Sequence, residues 1–96
     1  MLKFIKVAGN SLSPDYREGD YVMILTVPFL FFKRGNTIVF QHSEYDLMIK
    51  KIDRIQADGI YVIGSHPNSI DSRQFGPVDR RKIIGVVVWH IKKPGL

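Results

Sequence analysis

Apolar residues in this chain come in short blocks separated by turns built from glycine, asparagine, serine and aspartate. K-F-I-K-V-A-G, residues 3–9, alternates in part and predicts a first strand. Y-V-M-I-L-T-V, residues 21–27, is rich in β-forming side chains and predicts a second. Beyond the turn Lys33-Arg34-Gly35-Asn36 lies T-I-V-F-Q-H (37–42), and beyond Ser43-Glu44-Tyr45 lies D-L-M-I-K-K-I-D-R-I (46–55), a third strand and a long fourth. Asp58-Gly59 is a strong short-turn signal, so the fourth strand and I-Y-V-I-G (60–64) are expected to form a hairpin. K-I-I-G-V-V-V-W-H-I (82–91) closes the pattern as a last strand, in which Gly85 signals a bulge or a bend. No apolar repeat of 3.6 residues is sustained anywhere, which predicts a nearly all-β domain with at most one helical turn, after Pro14.

Two stretches break this pattern. G-N-S-L-S-P (9–14) is a turn of small residues closed by proline, and G-S-H-P-N-S-I-D-S-R-Q-F-G-P (64–77) has no usable periodicity although it sits between strands. A loop that long in so small a domain is usually functional or disordered. If the sheet brings the two stretches together, they form a site.

With 96 residues there is room for one domain, and a composition of 45% hydrophobic and 24% charged residues is that of an ordinary globular chain. Cysteine is absent, which excludes disulfides and thiolate metal sites; the three histidines, His42, His66 and His90, are scattered without ligand spacing, so no metal and no other cofactor is expected. The start, M-L-K-F-I-K-V-A-G-N, reads as a strand and not a signal peptide, so the mature chain is expected to begin there. The longest apolar run, Y-V-M-I-L-T-V-P-F-L-F-F (21–32), is too short for a spanning helix and is interrupted by Pro28. It is expected to be a core strand, with peripheral contact to a bilayer as the alternative, and a cytoplasmic location is favoured. A net charge of +5 permits nucleic acid, anionic lipid or acidic protein as a partner. The competing class is therefore a basic β-barrel that binds single-stranded nucleic acid, but Phe29, Phe31 and Phe32 cluster in the apolar run, where packing is the default.

Ser11 is a poor nucleophile unless a base removes its proton. A histidine from another segment is one source of that base and lysine is the other. A free lysine has a pKa of about 10.4, and only burial among apolar groups brings it to roughly 7 to 8, where a neutral, proton-accepting amine is plentiful near neutral pH. Side chains two apart on a strand share a face. Lys50 then has Met48 and Ile52 beside it, whereas Lys51 has Ile49 and Asp53, so Lys50 is the lysine placed to be dry. The bland alternative is a lysine whose stem covers apolar surface while its ammonium stays wet.

Several stretches together point further. V-A-G-N-S-L-S-P, R-E-G-D-Y-V, R-G-N-T-I-V-F, M-I-K-K-I, G-S-H-P-N-S-I-D-S-R-Q-F-G-P-V and I-I-G-V-V follow one another in an order and spacing that resemble the type I signal peptidase family, over about Val7 to Val88. The S-x-D-S-R-x-x-G-x-V pattern at residues 69–78 is the most specific piece, and it is not found in the related LexA-like repressors. The resemblance implies a mostly β fold, a partly open coiled sheet or barrel of the signal peptidase/LexA-like type, forming one peptidase domain over residues 1–96. It also implies a Ser/Lys serine endopeptidase that cleaves an N-terminal leader from a protein or peptide substrate, without nucleic acid.

In that scheme Ser11 is the nucleophile, Lys50 the general base and Ser69 the group that orients the lysine amine. Asp71 and Arg73 form a structural ion pair beside them, and the Gly9-Asn10 turn lets a substrate strand approach the backbone oxyanion donors. Some members of the family place a hydroxyl at the position of Gly9 as a second oxyanion donor, and none stands there here. Asp15-Tyr16, Asn36 and Gly64-Ser65-His66 also depart from the family pattern, and no N-terminal spanning helix is expected, where most members of the family carry one. In that respect, and in R-Q-F-G-P-V and the terminal V-V-W, the chain is similar to the small anchorless maturation peptidases of nickel-type superoxide dismutase.

Overall fold

The computed structural model describes residues 1–6, 19–28, 31–64 and 68–92. Six strands, β1 (Leu2–Lys6), β2 (Tyr21–Leu25), β3 (Thr37–His42), β4 (Asp46–Gln56), β5 (Gly59–Ile63) and β6 (Ile83–Ile91), make one sheet of order β1-β2-β6-β3-β4-β5. Every neighbouring pair is antiparallel. The strand made last lies in the middle.

β3, β4 and β5 form where the alternation predicts them. β2 ends at Leu25, two residues short of the expected Val27. The β3–β4 turn closes with Asp46 in the left-handed region at φ 60°, a conformation that aspartate adopts more readily than most residues. The imidazole of His42 steadies it: Nδ1 accepts from the N–H groups of Glu44 (3.0 Å) and Tyr45 (3.4 Å).

β6 carries two irregularities. Its register shifts between Val39 and Phe40 on the β3 side and between Met23 and Ile24 on the β2 side. The first lies at Gly85, as the sequence signals. There the β2 backbone comes so close that a β-carbon on residue 85 would lie 2.9 Å from the carbonyl oxygen of Leu25. Bulges of this kind increase the local twist of a sheet.

Helix appears in a place the periodicity does not predict. The turn expected after Pro14 lies outside the described residues, while α1 (Ser72–Phe75) forms inside the loop read as irregular. Asp71 caps it: its carboxylate accepts from the N–H of Arg73, and Gln74 Oε1 accepts from the N–H of Asp71. A residue pair of this type, Asp followed by Gln three positions on, is a helix-start signal that works at any helix length. A single 3-10 turn, Arg80–Lys82, capped by Asp79, then leads into β6, so Lys82 belongs to the turn and not to the strand.

The core is split between the two faces of the sheet. On one face Ile38, Phe40, Met48, Ile52, Ile60 and Val62 pack beneath Phe32 and Val78, with Val27, Phe75, Ile83 and Val86 at the margin. On the other, Val22, Ile24, Val39 and Ile49 form a smaller cluster with Ile5, Leu47, Ile84 and Val87. β4 contributes buried residues to both faces at Met48 and Ile49, which is why its apolar pattern alternates only in part. Among the described residues, no helix is long and apolar enough to cross a membrane.

Candidate functional site

Lys50 stands on β4, directly across from the buried Ile38 of β3 and between the buried Met48 and Ile52 on the same face. It is half-buried, whereas Lys51 on the opposite face is exposed, so the strand distinguishes the two lysines as the alternation predicts. On its other side β5 reaches Ile63, opposite Lys51, and the chain continues to Gly64.

Gly64 makes the site possible. A β-carbon there would lie 2.6 Å from Ser69 Oγ and 3.2 Å from Lys50 Nζ, so the hydroxyl and the amine converge on the space that glycine leaves empty. The constraint is steric. Any side chain at residue 64 would displace one of the two groups, both of which the sequence singles out.

The segment that delivers Ser69 is fastened to the edge of β5 by a row of hydrogen bonds. Ile60 exchanges two backbone hydrogen bonds with Val78 (2.9 and 2.7 Å), the N–H of Val62 donates to Ser72 Oγ (2.8 Å), and the N–H of Gly64 donates to Asp71 Oδ2 (2.9 Å). Two outward amides of β5 and that of Gly64 just beyond it are thereby satisfied by a segment that is not itself a strand. An open edge would otherwise remain there.

Asp71 is the centre of this arrangement. It is fully buried, and the guanidinium of Arg73 grips it in two places, Nε to Oδ1 at 2.9 Å and a terminal nitrogen to Oδ2 at 2.8 Å. Burial by itself pushes the carboxyl pKa up. The hydrogen bonds from the Arg73 side chain, from the N–H groups of Gly64 and Arg73, and the charge of Arg73 outweigh burial, and the net displacement is downward from 3.8. The aspartate is therefore an anion near neutral pH and holds its donors permanently. Asp79 is similar on the surface, lowered to about 2 by the side chain and N–H of Arg81.

α1 is pinned from above by aromatic contacts. The ring of Phe75 lies 4.6 Å from that of His42, 6.2 Å from Phe40 and 6.4 Å from Tyr45, which ties the loop to the β3–β4 turn. His42 is thus engaged in a turn and an aromatic cluster. His90 is paired through Nε2 with Asp20 Oδ2 at 2.8 Å, and His66 lies outside the described residues.

Among the described residues, β4 also has a flank that no strand pairs. Ile52 exchanges hydrogen bonds with the segment entering β3, through Gly35 and Asn36, so by antiparallel alternation Leu47 and Ile49 turn their N–H and C=O groups the other way. On that side β5 has already ended at Ile63, and among the described residues no strand pairs with them. The flank leads straight to Lys50.

Of the residues the sequence singles out, Lys50, Ser69, Asp71 and Arg73 come together here. Ser11, Gly9 and Asn10 lie outside the described residues. Three contributors went unrecognised in the sequence: Gly64 as the space for the amine, Ser72 as a surrogate edge partner for Val62, and Phe75 as the anchor of the loop. Among the aromatics of the nucleic-acid alternative, Phe32 is a core residue, Phe31 is exposed, and Phe29 lies outside the described residues.

A model of the Peptidase S24-like family matches residues 1–88, nearly the whole chain. The chain belongs to that family, a group of serine peptidases and LexA-like proteins that includes members without catalysis. The open six-stranded antiparallel sheet with almost no helix is consistent with it. No curated protein matches the chain.

Proposed function

We propose that this protein is a serine endopeptidase of the signal peptidase type, with Ser11 as nucleophile and Lys50 as general base, removing an N-terminal leader from a protein substrate. The observation that carries the reading is the convergence of Lys50 Nζ and Ser69 Oγ over Gly64, beside the rigid Asp71-Arg73 loop. The S-I-D-S-R-Q-F-G-P-V stretch supports the signal peptidase type over the LexA-like one. Similarity to the anchorless maturation peptidases of nickel-type superoxide dismutase narrows the substrate to the leader of a metalloenzyme precursor.

The chemistry follows from the groups present. The neutral amine of Lys50, oriented by Ser69, accepts the Ser11 hydroxyl proton as Oγ attacks the scissile carbonyl, and backbone N–H groups of the serine turn stabilise the oxyanion. The resulting ammonium returns the proton to the departing amine, leaving an ester on Ser11. Water, deprotonated by the same amine, then releases the new carboxylate. The leader binds as an added strand on the flank of β4, its backbone meeting Leu47 and Ile49.

Replacing Ser11 or Lys50 by alanine is expected to lower cleavage of a leader peptide by about 10³-fold or more while leaving the circular dichroism spectrum unchanged. Undiminished cleavage in either variant would refute the assignment.

A further inference from the structure

β1 ends the sheet, and among the described residues no strand pairs with its outer edge. The pairing with β2 identifies which backbone groups that edge carries. The N–H of Thr26 donates to the carbonyl of Met1 at 3.0 Å, and bonded pairs alternate along an antiparallel ladder. Lys3 and Ile5 therefore turn their N–H and C=O groups to Ile24 and Val22, while Leu2, Phe4 and Lys6 turn theirs outward. A row of this kind is a template for another strand. The side chains beside it are uncovered as well. Phe4, Met23 and Trp89 align in one row across β1, β2 and β6, on the sheet face that Phe32, Phe75 and Val78 cover over the other strands, and here Phe4 and Trp89 are each 62% exposed.

The sequence of β1, L-K-F-I-K, is matched to a second copy of itself. Antiparallel pairing about a two-fold axis at Phe4 sets Phe4 against Phe4, Leu2 against Lys6 and Lys3 against Ile5 of the other copy. Every outward N–H of each copy then meets an outward C=O of the other. Like charges directly opposite one another destabilise a strand pair, and here no lysine faces a lysine: each lies across from an apolar residue, over which its stem extends while the ammonium stays wet. Sliding the pair by two residues in one direction sets Lys3 against Lys3, and in the other leaves the groups of Leu2 without partners. In the centred register Phe4 packs against its own counterpart at the axis, and the row of Trp89, Met23 and Phe4 continues into the second copy. One short strand pair buries less than the about 1,200 Å² of a stable interface, so the association is a transient one.

We propose that this protein self-associates through β1, two copies joining edge to edge in an antiparallel register centred on Phe4. The contact involves neither Ser11 nor Lys50, so its test stands apart from the peptidase reading.

In analytical ultracentrifugation the mass of the full chain is expected to rise from that of a monomer toward twice that value as its concentration approaches about 1 mM, where weak associations become populated. Phe4→Pro is expected to abolish the rise while keeping the urea midpoint of the parent, because the N–H it removes points away from β2. Leu2 is 56% exposed, so its variants read the register without disturbing the fold. Leu2→Glu, opposite Lys6, is expected to strengthen association several-fold and Leu2→Lys to weaken it several-fold, with the difference shrinking in high salt. The chain has no cysteine, so a single one reports geometry: Phe4→Cys is expected to form a disulfide-linked dimer under mild oxidation far faster than Leu2→Cys, since only position 4 meets itself. The proposal is overturned by a chain that stays monomeric throughout, by a dimer that survives Phe4→Pro or ignores the charge at residue 2, or by cross-linking no faster at residue 4 than at residue 2.

Discussion

The two ends of the sheet treat their exposed backbone and side chains in opposite ways. At the β5 end, the outward amides of Ile60, Val62 and Gly64 are each satisfied by the 71–78 segment, and apolar side chains are covered. At the β1 end, no described strand pairs with the outer edge, and Phe4 lies in the open. Among the described residues, α1, the most buried carboxylate and the Phe75 aromatic cluster all lie at the end where Lys50 stands. A precise site needs neighbours that do not move, and here they have been supplied on one side only.

The sharpest contrast is between two phenylalanines on strands of the same sheet. Phe40→Ala, at 0% exposure, is expected to cost about 3–5 kcal/mol in urea unfolding, from lost burial and the cavity left behind. Asp71→Ala comes next. It removes the acceptor for Gly64, for the α1 cap and for Arg73, and a loss of about 2–4 kcal/mol is expected.

The same carboxylate predicts a pH dependence. Because its folded pKa lies below the unfolded 3.8, its contribution is complete above 3.8 and disappears as pH falls through the lowered folded value. The urea midpoint of the parent should therefore drop more steeply with acid than that of Asp71→Asn in that range. Equal slopes would mean that Asp71 is not the anchor described.

Gly64→Ala is expected to be milder for stability, about 1–3 kcal/mol, because a β-carbon must push past Ser69 and Lys50. Its effect on cleavage is expected to exceed its effect on folding, with kcat falling more than KM rises. The smallest effect belongs to the open end: Phe4→Ala, which uncovers little that was buried, is expected to change stability by no more than about 0.5 kcal/mol. If Phe4→Ala proved as costly as Phe40→Ala, the two ends would not differ as described.

The strands were legible because their alternation is local. Thr37–His42 forms from residue to residue as its pattern predicts, and the Asp58-Gly59 signal lies where β4 and β5 join. Lys50 was legible for the same reason, since its neighbours two positions away define its face. Three things were not. The turn at Ser72–Phe75 is too short to display a helical period, although the Asp71 and Gln74 pair marks its start. The bare face was hidden because Y-V-M-I-L reads as uniformly apolar, and only pairing with β1 and β6 reveals that Val22 and Ile24 turn inward while Tyr21, Met23 and Leu25 do not. Gly64 was hidden too: its value lies in a side chain five residues ahead and another fourteen behind, a relation that only the closed sheet creates.

The central place of β6 sets the order in which the molecule can be assembled. During synthesis β1 with β2, and β3 with β4 and β5, have their partners close by in sequence, but among the described residues the two groups are joined by strand pairing only through residues 83–91. Until that last strand emerges and slots between them, there is no continuous sheet to carry the site. Truncation within β6 therefore leaves two groups of strands without the pairing that joins them, and maturation of the sheet waits on residues 83–91.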